Sequence, residues 1–233
     1  MEISIIHPSK GRPEMAVKTA KKWLDSIRGD KSKIEYIFSL DIDDVGMFDN
    51  YSPAIKTLDV SRIFKVITYR NYNRSAIDAI NHAAKLSSGK LIVVVSDDFD
   101  CFVGWDIWLL SHLYDKEDYV VKTADTIQPF IITLPILDRK YYERFGYIYY
   151  PEYNHMYSDT EMSCVGHMLG KTINLSDAEH VFMHHHYSVG GMAKDAINEK
   201  NDATYPQGEK LFYERLSRKF DLKIEDIVNS SPV

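Results

Sequence analysis

The chain has 233 residues, 45% hydrophobic and 27% charged, which is enough apolar material for the core of one large domain. Lys and Arg total 28 against 34 Asp and Glu, and the formal net charge of −6 excludes a general basic surface for DNA, RNA or anionic lipid. The two cysteines form no disulfide framework, and the apolar N-terminal run is too short for a signal peptide or a membrane span. These features predict a cytoplasmic protein.

Residues 1–106 alternate strand-like and helix-like patterns. Strands are predicted at the start of ISIIHPSKGRPE and at KIEYIFSLDIDD, RIFKVITY and KLIVVVSDD. One helix begins near Pro13, and NRSAIDAINHAAKLSSG is an amphipathic helix that ends near Gly89. The fourth strand lacks polar alternation, which is typical of a parallel strand covered on both faces. The order of elements predicts an α/β fold with a doubly wound, mostly parallel sheet flanked by helices.

The second half is more mixed. Helices are predicted at GWDIWLLSHLY, DTEMSCVGHMLG and around EKLFYERLSRKF, and strands at DYVVKT, PFIITLP, KTINL and within AEHVFMHHHYSVGG. The tyrosine-dense stretch between 141 and 153 is compatible with an acceptor-binding surface or with ordinary packing. No linker separates these parts, so we expect a single domain over 1–233. Its parts are a nucleotide-sugar-binding half (1–106), an acceptor and catalytic half (107–192) and a helical C-terminal segment (193–233).

Polar residues follow the first, second and fourth strands, at the edge where an open parallel sheet binds its ligands. The three aspartates after the fourth strand are Asp97, Asp98 and Asp100. Such oxygen ligands suit Mg²⁺ or Mn²⁺, which would offset their mutual repulsion and bind a diphosphate. The alternative is that Asp100 caps the next helix while Asp97 and Asp98 are solvated loop residues.

The loop after the first strand offers Ser9, Lys10, Arg12 and backbone N–H groups ahead of a helix. This combination suits a phosphate or a nucleotide. The spacings GxxxxGK[ST] and GxGxxG are both absent, which argues against a Walker A loop and an NAD-type site.

The segments ISIIHPSKGRP, NRSAIDAINHAAKLSSGKLIVVVSDDFDCFVGWD and YSDTEM resemble the inverting glycosyltransferases of the GT-A fold, close to family 2. The resemblance is clearest over residues 3–106, is weaker over 138–190 and does not extend to the last forty or so. It implies a Rossmann-like, mostly parallel sheet flanked by helices, with a smaller acceptor-side region. It also implies a nucleotide-diphospho-sugar donor, expected to be a UDP-sugar, and a Mn²⁺ or Mg²⁺ cofactor.

The resemblance assigns donor-site roles to individual positions. Pro8, Ser9 and Arg12 match the nucleotide-binding loop, Asp41 or Asp43 the acid near the base or ribose, and Arg74 the basic residue at the helix start. In the DxD region, Asp98 is the expected metal ligand, with Asp97 near the ribose and Asp100 as an alternative ligand. Ser96 occupies a position that is sometimes Asp in the family, so the register within this acidic run stays open.

YSDTEM has two interpretations. Ser158 and Glu161 have the spacing of a helix capping box, which does not require Asp159. The resemblance implies instead that Asp159 is the general base, which takes the proton of the acceptor hydroxyl, with Glu161 as the second candidate.

The histidine-rich run is a further candidate site. Strand alternation puts His184 and His186 on one face and His185 on the other. By resemblance, His186, or next His184, completes the metal shell or contacts the diphosphate. The alternatives are ordinary strand or loop histidines and a zinc site, for which no closed four-ligand set is evident. Gly190 and Gly191 suggest a flexible lid over the donor.

The combined prediction is a metal-dependent inverting glycosyltransferase. Its acceptor would be a hydroxyl of a saccharide, or of a modified DNA base if the chain comes from a phage, although the acidic charge balance disfavours a polyanion. The alternatives are a sugar-phosphate nucleotidyltransferase, which usually needs a more glycine-rich first loop, and a non-catalytic sugar-nucleotide or glycan-binding module.

Overall fold

The structure is a computed structural model that describes residues 1–42, 44, 51–56, 58, 64–69, 75–177 and 179–228. Two of the predicted donor-site residues, Asp43 and Arg74, lie outside the described residues.

The strands are short and spread along the chain. They are β1 (Ile3–Ser9), β2 (Ile34–Asp41), β3 (Phe64–Tyr69), β4 (Leu91–Val94), β5 (Phe99–Asp100), β6 (Val120–Thr123), β7 (Ile136–Asp138), β8 (Thr172–Leu175) and β9 (Met183–His184). The helices are α1 (Pro13–Asp25), α2 (Ser52–Ile55), α3 (Ala76–Leu86), α4 (Trp105–Leu113), α5 (Arg139–Phe145), α6 (Ser158–Met168), α7 (Ala196–Asp202) and α8 (Tyr205–Ser217). Short 3₁₀ helices occur at Lys31–Lys33, Tyr187–Val189, Lys219–Asp221 and Ile224–Asp226.

A mixed, mostly parallel sheet forms the centre of the described structure. Its strand order is β3-β2-β1-β4-β7-β6-β8, and β5 pairs separately with β9. Strand β7 is antiparallel to both neighbours, β4 and β6, while β1, β2, β3 and β4 pair in parallel, as do β6 and β8. The strands of the second half therefore extend the same sheet. The predicted α/β fold with a mostly parallel sheet is confirmed.

One predicted strand is wrong. The segment PFIITLP at 129–135 is irregular, and the sheet strand is β7, which follows it. Side chains bond this segment and the residues just before it: the Ser163 hydroxyl accepts from the amide of Ile132 at 2.8 Å, and Asp125 accepts from the Thr133 hydroxyl. Asp125 also accepts from the amides of Ile127 and Gln128, which immediately precede the segment. Local bonds of this kind compete with a sheet ladder, and apolar content alone does not reveal them.

The sheet is covered on both faces. Ile5 of β1 belongs to a buried cluster with Trp23 and Trp105, and its neighbour Ile6 belongs to a second cluster with Met162 and Phe212. Successive residues of a strand point to opposite faces, which explains why β1 and β4 show no polar alternation. Four residues of the tyrosine-dense stretch lie in the second cluster and serve packing: Tyr141, Tyr142, Tyr149 and Tyr153. Within the described ranges, no helix combines the length and apolar character required to cross a bilayer.

Candidate active site

Helix α1 fixes the loop that follows β4. The Thr19 hydroxyl donates to the carbonyl oxygen of Asp97 at 2.6 Å, and the Trp23 indole N–H donates to the carbonyl of Phe99 at 2.9 Å. Both carbonyl groups belong to the acidic run, so buried side chains of α1 determine its path. The side chains of the three aspartates consequently point in three different directions.

Asp97 is held by the first strand and its loop. One carboxylate oxygen lies 2.9 Å from Nε2 of His7, and the other accepts from the hydroxyl of Ser9 at 3.0 Å. His7 is fully buried, and its Nδ1 lies 2.6 Å from the Tyr36 hydroxyl. Both oxygens of Asp97 are thus engaged within the protein, which orients this side chain toward the predicted nucleotide loop.

Asp98 faces the centre of the site. Its carboxylate accepts from the Ser96 hydroxyl at 2.5 Å and lies 3.3 Å from Nε2 of His184. The pairing of β5 with β9 brings this histidine into place, because Phe99 lies opposite His184 in the ladder. Burial acts to raise the pKa of Asp98, but the hydrogen bond and charge of His184 and the Ser96 hydroxyl together hold it well below its usual range.

Asp100 is directed elsewhere. Its carboxylate lies 3.2 Å from Nε2 of His185, and neither side chain is among the described residues that line the cleft. His184 and His186 do line the cleft, with ring centroids 5.1 Å apart. The predicted alternation of the three histidines is confirmed, and Asp100 is not brought together with Asp98.

A cleft of about 320 Å³ opens at the carboxyl end of β4. It brings together Asp98, Asp159, His184 and His186. A second cavity of about 170 Å³ adjoins it on the side of β1 and β2. The residues that line both cavities are Pro8, Arg12, Ile80, Ser96, His155 and Asn201. The two cavities therefore form one continuous depression with two compartments.

Most of the predicted donor residues line the smaller cavity. Pro8, Ser9, Asp41 and Asp97 are in its wall, and Lys10 donates to the Asp41 carboxylate at 2.8 Å. Arg12 lines both cavities, and its guanidinium makes two hydrogen bonds, of 2.7 and 2.6 Å, to the carboxylate of Asp195, the N-cap of α7.

Asp159 lies in the first turn of α6, at the wall of the larger cavity. The half-buried carboxylate accepts from the amide of Thr160 at 2.8 Å. Burial raises the pKa of Asp159, although the Thr160 amide and the charge of His184 act to lower it. A carboxylate made more basic by its surroundings is suited to accept a proton from a substrate.

Glu161 is engaged in the interior. It accepts from Nε of Arg215 at 2.8 Å and from the Tyr153 hydroxyl at 2.8 Å, next to a separate void of about 20 Å³. The predicted capping box is wrong: the N-cap of α6 is Tyr157, with φ of 70° and no side-chain cap bond. The second candidate for the base is therefore part of a buried ion pair on the interior side of α6.

Sequence reasoning missed several residues of the site. His155 lines both cavities, and Asn198, Asn201 and Lys200 of α7 line one or both. The family resemblance does not extend to α7, and the five polar and charged residues among its seven gave no sign that this helix covers a cleft. The capping box of Asp195 and Asn198 marks the start of α7 and could have located the helix, but not its position over the donor loop.

The structure partly fits a divalent cation. Among the residues described, no group of three or more His, Cys, Asp or Glu side chains is arranged to hold a metal. Asp98 and His184 are nevertheless in contact, and the buried Nδ1 of His184 has no hydrogen-bond partner in the described chain. A carboxylate with imidazoles suits Mn²⁺, and a bound diphosphate would contribute further oxygen ligands. The donor set fits a cation shared between the protein and a diphosphate, with His184 better placed than the predicted His186.

Comparison with known sequences gives no match: no family model fits the chain, and no curated protein is significantly similar.

Solved structures are similar to the chain in fold. S. aureus TarS 1-349 in complex with UDP-GlcNAc is 12% identical, with a TM-score of 0.65 over 78% of this chain and 58% of that chain. The Pyrobaculum calidifontis mannosyltransferase PcManGT in complex with GDP-Man and Mn²⁺ is 11% identical, with a TM-score of 0.62 over 78% and 56%. GalNAc-T7 with UDP, GalNAc and Mn²⁺ is 12% identical, with a TM-score of 0.62 over 79% and 44%.

The chain thus spans less than two thirds of the length of each of these proteins. At this level of identity the likeness concerns the fold. With its central sheet and these structural relatives, the chain has the GT-A type fold of nucleotide-sugar glycosyltransferases.

Proposed function

We propose that the protein is a metal-dependent inverting glycosyltransferase that moves a sugar from a UDP-sugar to a hydroxyl of a neutral saccharide. The observation that carries this proposal is the two-compartment depression. One compartment contains the loop of Pro8, Ser9 and Arg12, and the other contains both Asp98 and Asp159. Such an arrangement provides separate space for a nucleotide and for an acceptor, with two carboxylates in the wall of the larger compartment.

The donor compartment supports a nucleotide diphosphate. Asp41 lies deep in its wall and is 2% exposed, at a depth suited to hydrogen bonding with a base or ribose. Lys10 lines the same compartment and Arg12 lines both, and the two side chains provide positive charge for phosphate oxygens. Two of the structural relatives carry UDP or UDP-GlcNAc, which supports uridine as the base.

Asp98 and His184 would hold the cation, which supplies positive charge to the diphosphate leaving group. The low pKa of Asp98 keeps this carboxylate ionised at neutral pH, as a ligand must be. Mn²⁺ in two of the related structures supports a divalent ion in this role.

Asp159 is the proposed general base. Its carboxylate takes the proton of the acceptor hydroxyl while the oxygen forms a bond to the anomeric carbon. The bond from that carbon to the diphosphate breaks, and its electron pair leaves with the nucleotide. The environment moves the pKa of Asp159 up and that of Asp98 down, so the two carboxylates are fitted for different tasks.

The test is a turnover assay with a panel of UDP-sugars and GDP-sugars, Mn²⁺ and simple saccharide acceptors, with nucleotide release and product measured together. Asp98→Asn and Asp159→Asn are expected to lose transfer, while Asp159→Asn still binds the donor. The matched control is Asp115→Asn, which removes an exposed carboxylate outside both cavities.

Three results would contradict the proposal. Full turnover in both variants would refute the site. Release of pyrophosphate from a nucleoside triphosphate would identify a nucleotidyltransferase. If the wild-type protein binds a donor tightly but transfers its sugar to none of the acceptors tested, the protein is a binding module.

A further inference from the structure

His155 occupies the boundary between the two compartments. It lies in the loop before α6 and is one of the residues that line both cavities, together with Arg12, Ser96 and Asn201. If a nucleotide-sugar fills both compartments, with its nucleotide in one and its sugar in the other, then the bond between its diphosphate and its sugar lies at this boundary. A side chain at the boundary therefore meets that part of the donor.

The ring of His155 faces the charged groups of the depression. Its electrostatic neighbours are Asp98 after β4, Arg12 after β1, His186 after β9 and Asp202 of α7. The backbone carbonyl of His155 accepts from the Ser158 hydroxyl at 2.6 Å, but no described residue hydrogen-bonds either ring nitrogen. Burial lowers the pKa of His155, so at neutral pH the ring carries one N–H donor and one free acceptor.

The loop that presents His155 is held rigidly. Tyr157 has a φ of 70°, a conformation that costs a non-glycine residue free energy. Helix α8 holds the loop in place, because the Met156 amide donates to Thr204 at 3.2 Å and Gly208 packs against the Met156 carbonyl. A Cβ at Gly208 would lie 2.3 Å from that oxygen. Backbone strain maintained by surrounding contacts is a recurrent feature of functional sites.

We propose that His155 is a donor-contacting residue whose imidazole N–H hydrogen-bonds the diphosphate of the nucleotide-sugar at its sugar-bearing end. This inference rests on the proposed function and adds a residue to it. The role proposed for His155 differs from that of Asp98 and His184, which would hold the cation, because His155 binds the diphosphate leaving group directly.

The test compares UDP with UMP, each with Mn²⁺, by isothermal titration calorimetry on the full chain, and GDP with GMP in parallel. UMP lacks the phosphate that would lie at the boundary, so the loss of a contact there should weaken the binding of UDP and leave the binding of UMP unchanged. For His155→Ala we expect about tenfold weaker UDP binding and less than a twofold change for UMP. His155→Gln, which retains an N–H donor, is expected to recover most of the affinity.

His167→Ala is the matched control, because His167 is an exposed histidine on α6 outside both cavities. It is expected to bind UDP like the wild type. Equal loss of UMP and UDP affinity in His155→Ala, or unchanged UDP affinity, would overturn the contact with the diphosphate. Failure of the wild type to bind either diphosphate would overturn the proposed function itself, and the wild-type titration alone reveals this.

Discussion

Replacing Glu161 by Gln is expected to destabilise the protein while leaving its chemistry intact. Glu161 is 4% exposed and Arg215 is 1% exposed, and the carboxylate accepts from the guanidinium Nε at 3.0 and 2.8 Å. The Gln side chain keeps the size of Glu161 but removes its charge. A guanidinium cannot lose its proton in a protein, so Arg215 would remain a buried cation without its main counter-ion.

The expected loss in free energy of unfolding is about 3 kcal/mol, at the lower end for breaking a buried pair, because Gln retains one acceptor oxygen. The remaining partners of Arg215 limit the loss: its Nη1 donates to Asp221 at 2.9 Å, and its guanidinium carbon Cζ lies 3.3 Å from the centre of the Tyr150 ring. For a chain of this size, about 3 kcal/mol corresponds to a fall in Tm of ~6–12 °C.

The assay is urea denaturation followed by tryptophan fluorescence, with turnover measured per folded molecule at a temperature well below both midpoints. Glu161→Gln is expected to keep near wild-type turnover. The double variant Glu161→Gln with Arg215→Met removes both charges and is expected to recover much of the lost stability.

The opposite pattern would refute this reasoning. If Glu161→Gln keeps its stability to within about 0.5 kcal/mol and loses turnover as fully as Asp159→Asn, then Glu161 acts in the chemistry. If the double variant is less stable than the single one, the pair does not act as a charge-compensating unit.

The remaining predictions concern Asp159, Asp98 and Gly208. Asp159→Asn is expected to lower kcat by about 10²–10⁴. Because burial raises the pKa of Asp159, the wild-type rate should fall with decreasing pH through a value above the ordinary ~3.9, and a pH–rate profile without that limb would contradict the role. The same variant should keep or raise Tm at pH 7, since the folded state bears the cost of burying the ionised carboxylate above that pKa. Asp98→Asn should abolish the Mn²⁺-dependent rise in Tm that UDP produces, whereas Asp100→Asn should retain most of this rise. An equal loss of the rise in both variants would indicate that both carboxylates bind the cation. Gly208→Ala should lower the free energy of unfolding, measured by urea denaturation, by about 2 kcal/mol, because the new Cβ would overlap the Met156 carbonyl. The control, Gly146→Ala, should lower it by about 1 kcal/mol, because no atom lies within 4 Å of the new Cβ and only the positive φ of 74° is unfavourable for alanine.

The first half of the fold could be predicted because its signals are local. Ile5 and Ile6 are both fully buried, on opposite faces of the sheet, and an uninterrupted apolar run is what such a strand requires. The capping box of Ser75 and Asp78 and the apolar period of α3 are likewise contained within a few residues. The segment 129–135 could not be predicted in the same way, because the side chains of Asp125 and Ser163 bond the Thr133 hydroxyl and the Ile132 amide within it.

The candidate site was predictable in its residue types but not in its geometry. The residues predicted for the donor loop line one compartment, and Asp98 and Asp159 line the other. Sequence could not separate Asp98 from Asp100, which are two positions apart in the same acidic run. Their roles are separated by β9, whose His184 contacts Asp98 while the next residue, His185, contacts Asp100 from 85 positions along the chain.

The sequence by itself determined the α/β architecture, the polar ends of β1, β2 and β4, and hence the edge of the sheet at which the two cavities lie. These depend on short-range periodicity and on the common direction of parallel strands. Only the tertiary structure decided that Glu161 is enclosed with Arg215, that α7 covers the donor loop through Asp195, and that His155 lies at the boundary of two compartments. Each of these depends on contacts between segments far apart in the chain, whose pairing follows from how the whole core packs.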